Sequence, residues 1–254
     1  MSRSLYTRLA AGLIFPLHER LKGHRSVKVF RSLETSQWWT PEQLHDLQLQ
    51  RLRTLLEHAA DEVPYYRELL LRLHLSPTDF RELSDLQKLP FLTKPLIRAN
   101  QEALKSSRAK GLSRFNTGGS SGEPLIFFIG KERVSHDVAA KWRATRWWGV
   151  DIGDPEIVIW GSPIELGTQD HLRALRDILL RTRLLAAFEM SQSKLDGFID
   201  TICSTHPRML FGYPSALAHI AERALERGQG MDNLGIRVAF VTSERLYDHQ
   251  RELI

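Results

Sequence analysis

The sequence of 254 residues has one cysteine and no long apolar run, and these absences argue against a disulfide-stabilised protein and a membrane-spanning protein. Its single cysteine, Cys203, cannot form an internal disulfide, which indicates a reducing compartment, so we expect a cytoplasmic protein. No stretch reaches the roughly 18 apolar residues that a transmembrane helix needs. Histidine, cysteine and carboxylate residues are nowhere spaced like zinc ligands, and no dinucleotide-binding fingerprint occurs. We therefore predict neither a metal site in this sequence nor a Rossmann-type domain.

Charge of one sign is not concentrated anywhere in the sequence. Lysine and arginine number 35 against 30 aspartate and glutamate residues, which gives a net charge of +5. Because the basic residues are dispersed, a solvated basic surface is favoured over a nucleic-acid footprint. The segment Trp142–Trp148 combines tryptophan with Arg143 and Arg146, and we interpret it as a packed helix face along which arginine stems lie. No nucleic-acid partner is expected.

The N-terminus holds a short apolar segment with basic residues around it. Arg3 and Arg8 stand before residues 9–15, which resemble the core of a signal peptide. Pro16 interrupts that core, and charged residues at 18–22 stand where a small-residue cleavage site would be expected. An amphipathic helix that docks on protein or lies on a membrane surface explains the segment better, and protein docking is the favoured version.

Residues 1–105 are predicted to be mostly helical. Thr40, Pro41 and Gln43 have the spacing of a capping box with proline at the first helical position. The helix that follows has a predicted buried face with i, i+3, i+4, i+7 spacing, made by Leu52, Leu55, Leu56 and Ala59. Residues 63–67 end this helix and begin another. Two prolines predict that residues 89–95 form a rigid extended linker between helices.

From about residue 112, strands and helices alternate. Short apolar runs predict strands at 125–129, 157–160, 209–211 and 238–241. The predicted helices between them are one capped by Ser135 that ends at Gly149, one with an apolar face over 195–202, and one from Pro214 to Gly228. This alternation predicts an α/β fold in which a largely parallel sheet is flanked by helices.

A ten-residue segment rich in glycine and hydroxyl side chains, 115–124, carries the strongest functional signal. Its glycines let backbone N–H groups and neighbouring hydroxyls converge, as in a phosphate-binding nest. A Walker loop is disfavoured because Glu123 and Pro124 follow the last glycine in place of lysine and serine. Residues 118–122 also match the G-x-S-x-G elbow of serine hydrolases, with Ser120 as nucleophile, but that elbow must lead into a helix.

A strand–loop–strand element that holds ATP phosphates accounts for the whole segment, including Thr117 and Pro124. The alternative without function is a plain glycine-rich hairpin. Residues 117–124 (TGGSSGEP) resemble the Ser/Thr/Gly-rich phosphate loop of adenylate-forming enzymes, the acyl-CoA synthetase superfamily. The segments that resemble its phenylacetate–CoA ligase and CapK-like branch, in order and approximate spacing, are 63–67 (VPYYR), 89–94 (LPFLTK), 212–215 (GYPS) and 242–246 (TSERL).

This resemblance covers nearly the whole chain and implies a helical region at 1–105 followed by part of an AMP-binding α/β domain at 106–254. It implies that ATP activates a small-molecule carboxylate as an acyl-adenylate, and that the acyl group then passes to coenzyme A or another acceptor. The residues that it assigns to the ATP phosphates are Thr117, Gly118, Gly119, Ser120, Ser121 and Gly122. Those assigned to adenine or the adenylate are Thr242, Ser243 and Glu244, and those assigned to the acyl pocket are Tyr213, Pro214, Ser215 and His136.

Each of these roles has a simpler alternative, and no catalytic residue is assigned. Ser215 is also a plausible helix N-cap, Glu244 a solvated carboxylate favoured by a helix dipole, and His136 an ordinary residue at a helix start. A lysine that many superfamily members place after the loop's proline is Leu125 here.

The resemblance also marks family segments that are not among these 254 residues. They are an aromatic-Gly-x-x-Glu motif that stacks on adenine and helps to hold Mg²⁺, an aspartate that binds ribose, and a C-terminal lid domain with the catalytic lysine. A further helix is predicted to begin after residues 243–246 and is still in progress at Ile254, so we interpret the chain as truncated, with an incomplete magnesium site and little or no ligase activity alone. A non-catalytic nucleotide-binding or interaction fragment is the alternative, and the sequence allows a homodimer.

Overall fold

The computed structural model describes residues 4–117, 124–161 and 171–254, and the chain divides into two compact units. One unit comprises His24–Ala139, and the other joins Met1–Gly23 to Ala140–Ile254. The boundary between a helical region and an α/β domain near residue 105 stays a prediction. No helix in the described ranges is long and apolar enough to cross a membrane.

The chain begins with one helical segment of the second unit. It consists of α1 (Leu5–Leu9), a π-helical stretch (Ala10–Ile14) and α2 (Phe15–Leu21). Pro16 does not end the helix, and it lies directly after the π-helical stretch, at the second residue of α2. The N–H group of Phe15 donates to the carbonyl of Ala10, five residues back, which is the wide turn of a π-helix.

The helical character predicted for residues 1–105 is confirmed. The helices of the first unit before its strands are α3 (Ser26–Ser36), α4 (Pro41–Glu62), α5 (Pro64–Arg72) and α6 (Lys94–Ala99), with 3₁₀ turns at Pro77–Asp79 and Leu83–Lys88. The predicted capping box is present: Gln43 N donates to Thr40 Oγ1 at 3.3 Å, and Thr40 N donates to Gln43 Oε1 at 3.0 Å.

Two details of this helical region differ from the sequence prediction. Leu56 packs in a core with Leu70 and Phe80, but Leu55 is 62% exposed, because it lies about 100° around the helix from Leu56. The extended linker ends at Thr93 rather than at Pro95. Thr93 caps α6 and Pro95 lies in its first turn, which is the position where proline favours a helix.

The glycine-rich segment joins two antiparallel strands, β1 (Ser113–Asn116) and β2 (Ile126–Ile129), with Asn116 opposite Ile126. Helix α7 (Lys131–Arg146) follows β2. Ser135 is not its N-cap, because the helix begins four residues earlier. Its Oγ instead donates to the carbonyl of Lys131 at 2.7 Å and accepts from the amide of Arg25 at 3.0 Å.

The predicted packed face around the tryptophans is only partly right. Trp142 is buried within α7, whereas Trp147 and Trp148 are more than half exposed. The reason is that α7 ends at Arg146, so the last two tryptophans lie in a turn that closes at Gly149 with a φ of +71°.

The predicted α/β fold with a parallel sheet is confirmed in the second unit. Its strands are β3 (Glu156–Trp160), β4 (Thr182–Ala186), β5 (Met209–Gly212) and β6 (Val238–Val241), all parallel and in the order β4-β3-β5-β6. Its helices are α8 (His171–Leu180), α9 (Gln192–Thr205), α10 (Pro214–Glu226) and α11 (Asp248–Leu253). Sequence patterns did not predict α8 or β4.

The sheet is stabilised by an isoleucine-rich core and by one buried ion pair. Ile157 and Ile159 of β3 are inaccessible and pack against Ile199 of α9 and Ile220 of α10. At the start of β3, Glu156 is buried and receives Lys141 Nζ at 2.9 Å and Thr182 Oγ1 at 2.7 Å. Both carboxylate oxygens have partners, which is what a buried charge requires.

Candidate functional site

Two of the segments singled out in the sequence meet at the carboxyl edge of the parallel sheet. Thr242 N donates to the carbonyl of Gly212 at 3.1 Å, and Ser215 N donates to Glu244 Oε2 at 3.3 Å. The residues assigned to the acyl pocket, 213–215, thus contact those assigned to the adenylate, 242–244. In open α/β sheets this edge is where ligands bind.

The chain turns from β5 into α10 in a way that its sequence explains. Gly212 lies so close to β3 that a Cβ there would stand 2.5 Å from the carbonyl oxygen of Ile159. Tyr213 is the N-cap of α10 in an extended conformation, and Pro214 occupies the first helical turn and is buried. Ser215 is therefore not the N-cap, and its amide is one of the helix donors that lack a partner within the helix.

Glu244 supplies the missing acceptor from the next loop. Its carboxylate meets the Ser215 amide at the N-terminus of α10, where a helix dipole favours negative charge. Ser243, just before it, adopts a φ of +69°, an uncommon conformation for a residue with a side chain. Glu244 thus contacts the start of α10 rather than the start of the helix that follows it in the sequence, and its assignment to the adenylate stays a prediction.

An aromatic side chain that sequence reasoning missed lies at the same edge. Trp160 ends β3 and stacks on Tyr213, with ring centroids 4.5 Å apart and planes 18° apart. The chain turns away immediately at Gly161, whose φ of +107° is accessible to glycine. The available signal was the position of Trp160 at the carboxyl end of a predicted strand, directly before a glycine.

An ion pair joins the two helices that cover this part of the sheet. Arg223 of α10 donates from Nε to Asp196 Oδ1 at 2.8 Å and from Nη2 to Asp196 Oδ2 at 3.1 Å, a bidentate contact with α9. These hydrogen bonds from Arg223 lower the pKa of the Asp196 carboxyl below its usual value. The pair braces α10, which carries Tyr213 and Ser215 at its start.

In the other unit, Thr117 closes the base of the glycine-rich loop. Its N–H group donates to the carbonyl of Leu125 at 3.0 Å, and its Oγ1 accepts from the amide of Leu125 at 3.0 Å. The hydroxyl keeps its own proton, so Thr117 can still donate to a ligand. The other assigned phosphate ligands, Gly118, Gly119, Ser120, Ser121 and Gly122, lie outside the described residues.

The surroundings of that loop bear on the hydrolase alternative. A nucleophile elbow leads from a strand into a helix, which holds the serine at a sharp turn. Here the loop is followed by β2, which pairs with β1 in an antiparallel hairpin. Among the described residues, the element that follows the loop is thus a strand and not the helix that an elbow requires.

His136 lies on α7 in the same unit as the hairpin, whereas Tyr213, Pro214 and Ser215 lie in the other unit. It lines a cavity of about 230 Å³ whose charged side chains are basic except for Glu132. Arg25 in this cavity contacts Glu132 at 3.4 Å, and the remaining charged lining residues, Lys28 and Arg51, are both basic. The charge around His136 therefore favours an anionic or polar ligand group over a purely apolar one.

Among the described residues, no group of three or more His, Cys, Asp or Glu side chains is arranged to hold a metal ion. The arrangement at the sheet edge instead offers a flat aromatic wall, a helix N-terminus and polar loop residues. Such a set can hold and orient a small anionic or aromatic ligand.

The described fold is similar to part of the fold of solved CoA ligases. A crystal structure of 2-hydroxyisobutyryl-CoA ligase in the postadenylation state, with R3-HIB-AMP, superposes with a TM-score of 0.60 at 21% identity, over 84% of this chain and 47% of that one. A second structure of the same ligase, with 2-HIB-AMP and CoA, gives a TM-score of 0.58 over 82% of this chain and 47% of that one, also at 21% identity.

Sequence relatives confirm the resemblance inferred from the motifs. Protein CapK of Staphylococcus aureus is 23% identical over 212 residues, which is 82% of this chain and 46% of CapK. Phenylacetate-coenzyme A ligase of Pseudomonas putida is 25% identical over 214 residues, 83% of this chain and 47% of that enzyme. No family model matches the sequence. The chain thus spans about half the length of these relatives.

Proposed function

We propose that this chain is the nucleotide- and acyl-binding part of a ligase that activates a small carboxylate with ATP and passes the acyl group to coenzyme A or another acceptor. One observation carries the proposal. The segments assigned to the acyl pocket and to the adenylate, 213–215 and 242–244, contact each other at the carboxyl edge of a parallel sheet. Relatives named as CoA ligases, of which this chain spans about half, support the same reaction class.

The reaction asks the protein mainly to position its substrates. A carboxylate oxygen attacks the α-phosphorus of ATP, the bond to the bridging oxygen breaks, and pyrophosphate leaves with the electron pair. Catalysis then depends on alignment and on donors aimed at the departing phosphates. Thr117 retains a free hydroxyl proton for this purpose, and the backbone of residues 118–122 would supply further donors.

The sheet edge would bind the acyl group or adenine. Trp160 and Tyr213 form a stacked aromatic wall that suits a planar ligand surface, either the acyl group or adenine. Magnesium, which the resemblance implies, has no proposed ligand in this chain, because the family motif whose glutamate helps to hold it is not among these residues. The acyl substrate is proposed only as a small carboxylate, and the acceptor as coenzyme A or another group.

Calorimetric titration of the purified chain with ATP tests the proposal. We expect ATP to bind, and we expect Thr117→Ala and Ser120→Ala each to weaken binding by about fivefold or more, since a hydrogen bond to a charged group is lost. Thr54→Ala, on the exposed side of α4, is the matched control and should leave binding unchanged. Absence of ATP binding by the folded chain would contradict the proposal.

Two further assays separate the alternatives. Carboxylate-dependent exchange of radiolabelled pyrophosphate into ATP reports adenylation, and we expect little or none from this chain alone, because the family's adenine-stacking, ribose and lysine motifs are not among its residues. Strong exchange would contradict that inactivity while supporting the ligase. Labelling by a fluorophosphonate that disappears in Ser120→Ala would instead favour a serine hydrolase.

A further inference from the structure

The N-terminal helical segment exposes a row of leucines, one every fourth residue. Between 48% and 84% of each side chain is exposed, and the row, called the leucine stripe below, is made of Leu5, Leu9, Leu13, Leu17 and Leu21. Single exposed leucines are ordinary, but a continuous row along one segment marks an interaction surface.

The π-helical stretch keeps this row aligned. In an α-helix of 3.6 residues per turn, each step of four residues advances by about 40°, so five leucines would spread over about 160°. The π-helical stretch Ala10–Ile14 lies in the middle of the row and has a wider turn, closed by the bond from Phe15 N to Ala10 O. Within it a step of four falls short of a full turn, which offsets the drift. Local π turns are common at functional sites.

The opposite side of the segment is fixed to the second unit, so the stripe is held facing outward. Thr7 is inaccessible and donates to Asp154 Oδ1 at 2.7 Å, and Tyr6 Oη donates to the carbonyl of Leu179 at 2.7 Å. Ala10 packs so tightly on Gly153 that no side chain would fit there. These contacts fix the orientation of the segment, so its leucines stay on the side that faces away from its own unit.

The charges beside the stripe have one sign. Arg8 and Arg20 are exposed and make no ion pair with any described residue. Glu19 is the only acidic residue in the first 22, and it is 4% exposed. Helix α4, which also exposes a leucine, differs because Glu42, Asp46 and Glu57 lie on its surface.

We propose that the leucine stripe binds the surface of an anionic lipid bilayer. An amphipathic helix with leucines and arginines on its exposed face lies in the bilayer interface, where leucines enter the acyl boundary and arginines meet anionic headgroups. The charge decides between occupants: a second copy of this chain would place Arg8 and Arg20 against the same positive charges. An anionic bilayer complements both the apolar row and the positive charge.

Vesicle flotation with the purified chain tests this. We expect binding to vesicles of phosphatidylcholine mixed with phosphatidylglycerol, much weaker binding to phosphatidylcholine alone, and a decrease as salt rises. The triple variant Leu5→Gln, Leu9→Gln, Leu13→Gln should bind at least about tenfold less. Arg8→Glu and Arg20→Glu should each lower binding by about fivefold or more, since each basic residue near the surface contributes that much.

Matched controls come from helix α5. Leu71 is 69% exposed and Arg72 is its exposed neighbour, so Leu71→Gln and Arg72→Glu repeat the chemistry away from the stripe and should leave vesicle binding unchanged. Circular dichroism melting shows whether each variant folds. If the triple variant were misfolded, a fluorophore on Leu13→Cys in a Cys203→Ser background would still report contact, through a blue shift that appears with anionic vesicles.

Three results would overturn the proposal. The first is equal binding by the parent and the folded triple variant, and the second is no preference for anionic lipid. The third is that the parent chain does not bind vesicles but forms a dimer in sedimentation, and that the triple variant is a monomer. The stripe would then be a contact between two copies of the chain.

Discussion

The parallel sheet and the antiparallel hairpin both end in candidate ligand-binding segments, but they are stabilised in different ways. In the sheet, Ile157 and Ile159 of β3 are inaccessible and packed between helices. In the hairpin, every residue of β1 is exposed and every residue of β2 is only partly buried. The sheet edge is therefore positioned by buried packing, whereas the hairpin loop is positioned by cross-strand pairs and by partly exposed contacts such as that of Lys105 with Phe128. Substitutions near the first should cost stability, and substitutions near the second should cost mainly binding.

Two lysines that lie over aromatic rings provide the largest contrast. Lys141 Nζ is 4.7 Å from the ring centroid of Trp142 and neutralises the buried Glu156, while Lys105 Nζ is 4.0 Å from that of Phe128 and pairs with the exposed Glu102. Lys141→Met should lower the free energy of unfolding by about 3–5 kcal/mol, because Glu156 is left buried and charged. Lys105→Met should lower it by about 1 kcal/mol or less.

Urea unfolding followed by far-ultraviolet circular dichroism measures both lysine variants. If the two variants lost equal stability, the burial of Glu156 would not be the source of the difference between the sheet and the hairpin.

Two glycines give the next largest effect. A Cβ on Gly212 would stand 2.5 Å from a backbone oxygen of β3, whereas one on Gly130, after β2, would be 3.7 Å from Leu112 Cδ2. Gly212→Ala should cost about 1–3 kcal/mol of stability through overpacking. Gly130→Ala should change stability by less than about 1 kcal/mol, because the added Cβ meets no backbone atom and the residue lies just before α7. Thermal melts of both variants check this, and a neutral Gly212→Ala would show that β3 and β5 can separate freely.

Glu244→Gln should have a smaller effect. It removes the negative charge from the N-terminus of α10 but keeps an oxygen acceptor for Ser215 N, so we expect a loss of about 0.3–1 kcal/mol. The control is Glu222→Gln, on the exposed surface of the same helix, which should be neutral. A loss from Glu222→Gln as large as that from Glu244→Gln would show that the position at the helix start is not what matters.

The smallest expected effect concerns acid stability of the helix pair α9–α10. Because the pKa of Asp196 is lowered by Arg223, its contribution is fully present above the unfolded-state pKa near 3.8 and is lost as the pH falls through the lower folded-state value. Asp196→Asn should therefore be less stable than the parent at neutral pH and should approach it in strong acid. Melts across the acid range test this, and a difference that is independent of pH would exclude the ion pair as its source.

Local signals in the sequence predicted much of the fold. The capping box at Thr40, the break at Val63–Pro64 and the strands at β2, β3, β5 and β6 depend on residues close together in the chain. The contact between 213–215 and 242–244 also follows from sequence, because consecutive parallel strands place their carboxyl ends at one edge.

The features that escaped prediction depend on residues far apart in the chain. The local sequence predicts Ser135 as a helix cap, but the helix starts four residues earlier. The Ser135 hydroxyl instead accepts a hydrogen bond from the amide of Arg25, 110 residues away. Strand β4 has one fully buried residue and an exposed arginine, so it lacks a clear apolar signal and forms by pairing with β3. Trp160 becomes a site residue only through stacking on Tyr213, 53 positions later.

The amide of Ser215 lies in the first turn of a helix, so its proton has no acceptor inside that helix. Without another acceptor it would exchange with solvent as fast as other amide protons at helix ends. Its acceptor belongs to Glu244, in a different loop. The exchange rate of this one proton therefore measures the fraction of time for which the 242–244 loop is docked. A ligand that pulls Glu244 away would speed up deuterium uptake at Ser215, and one that presses the loop inward would slow it, without any label on either partner.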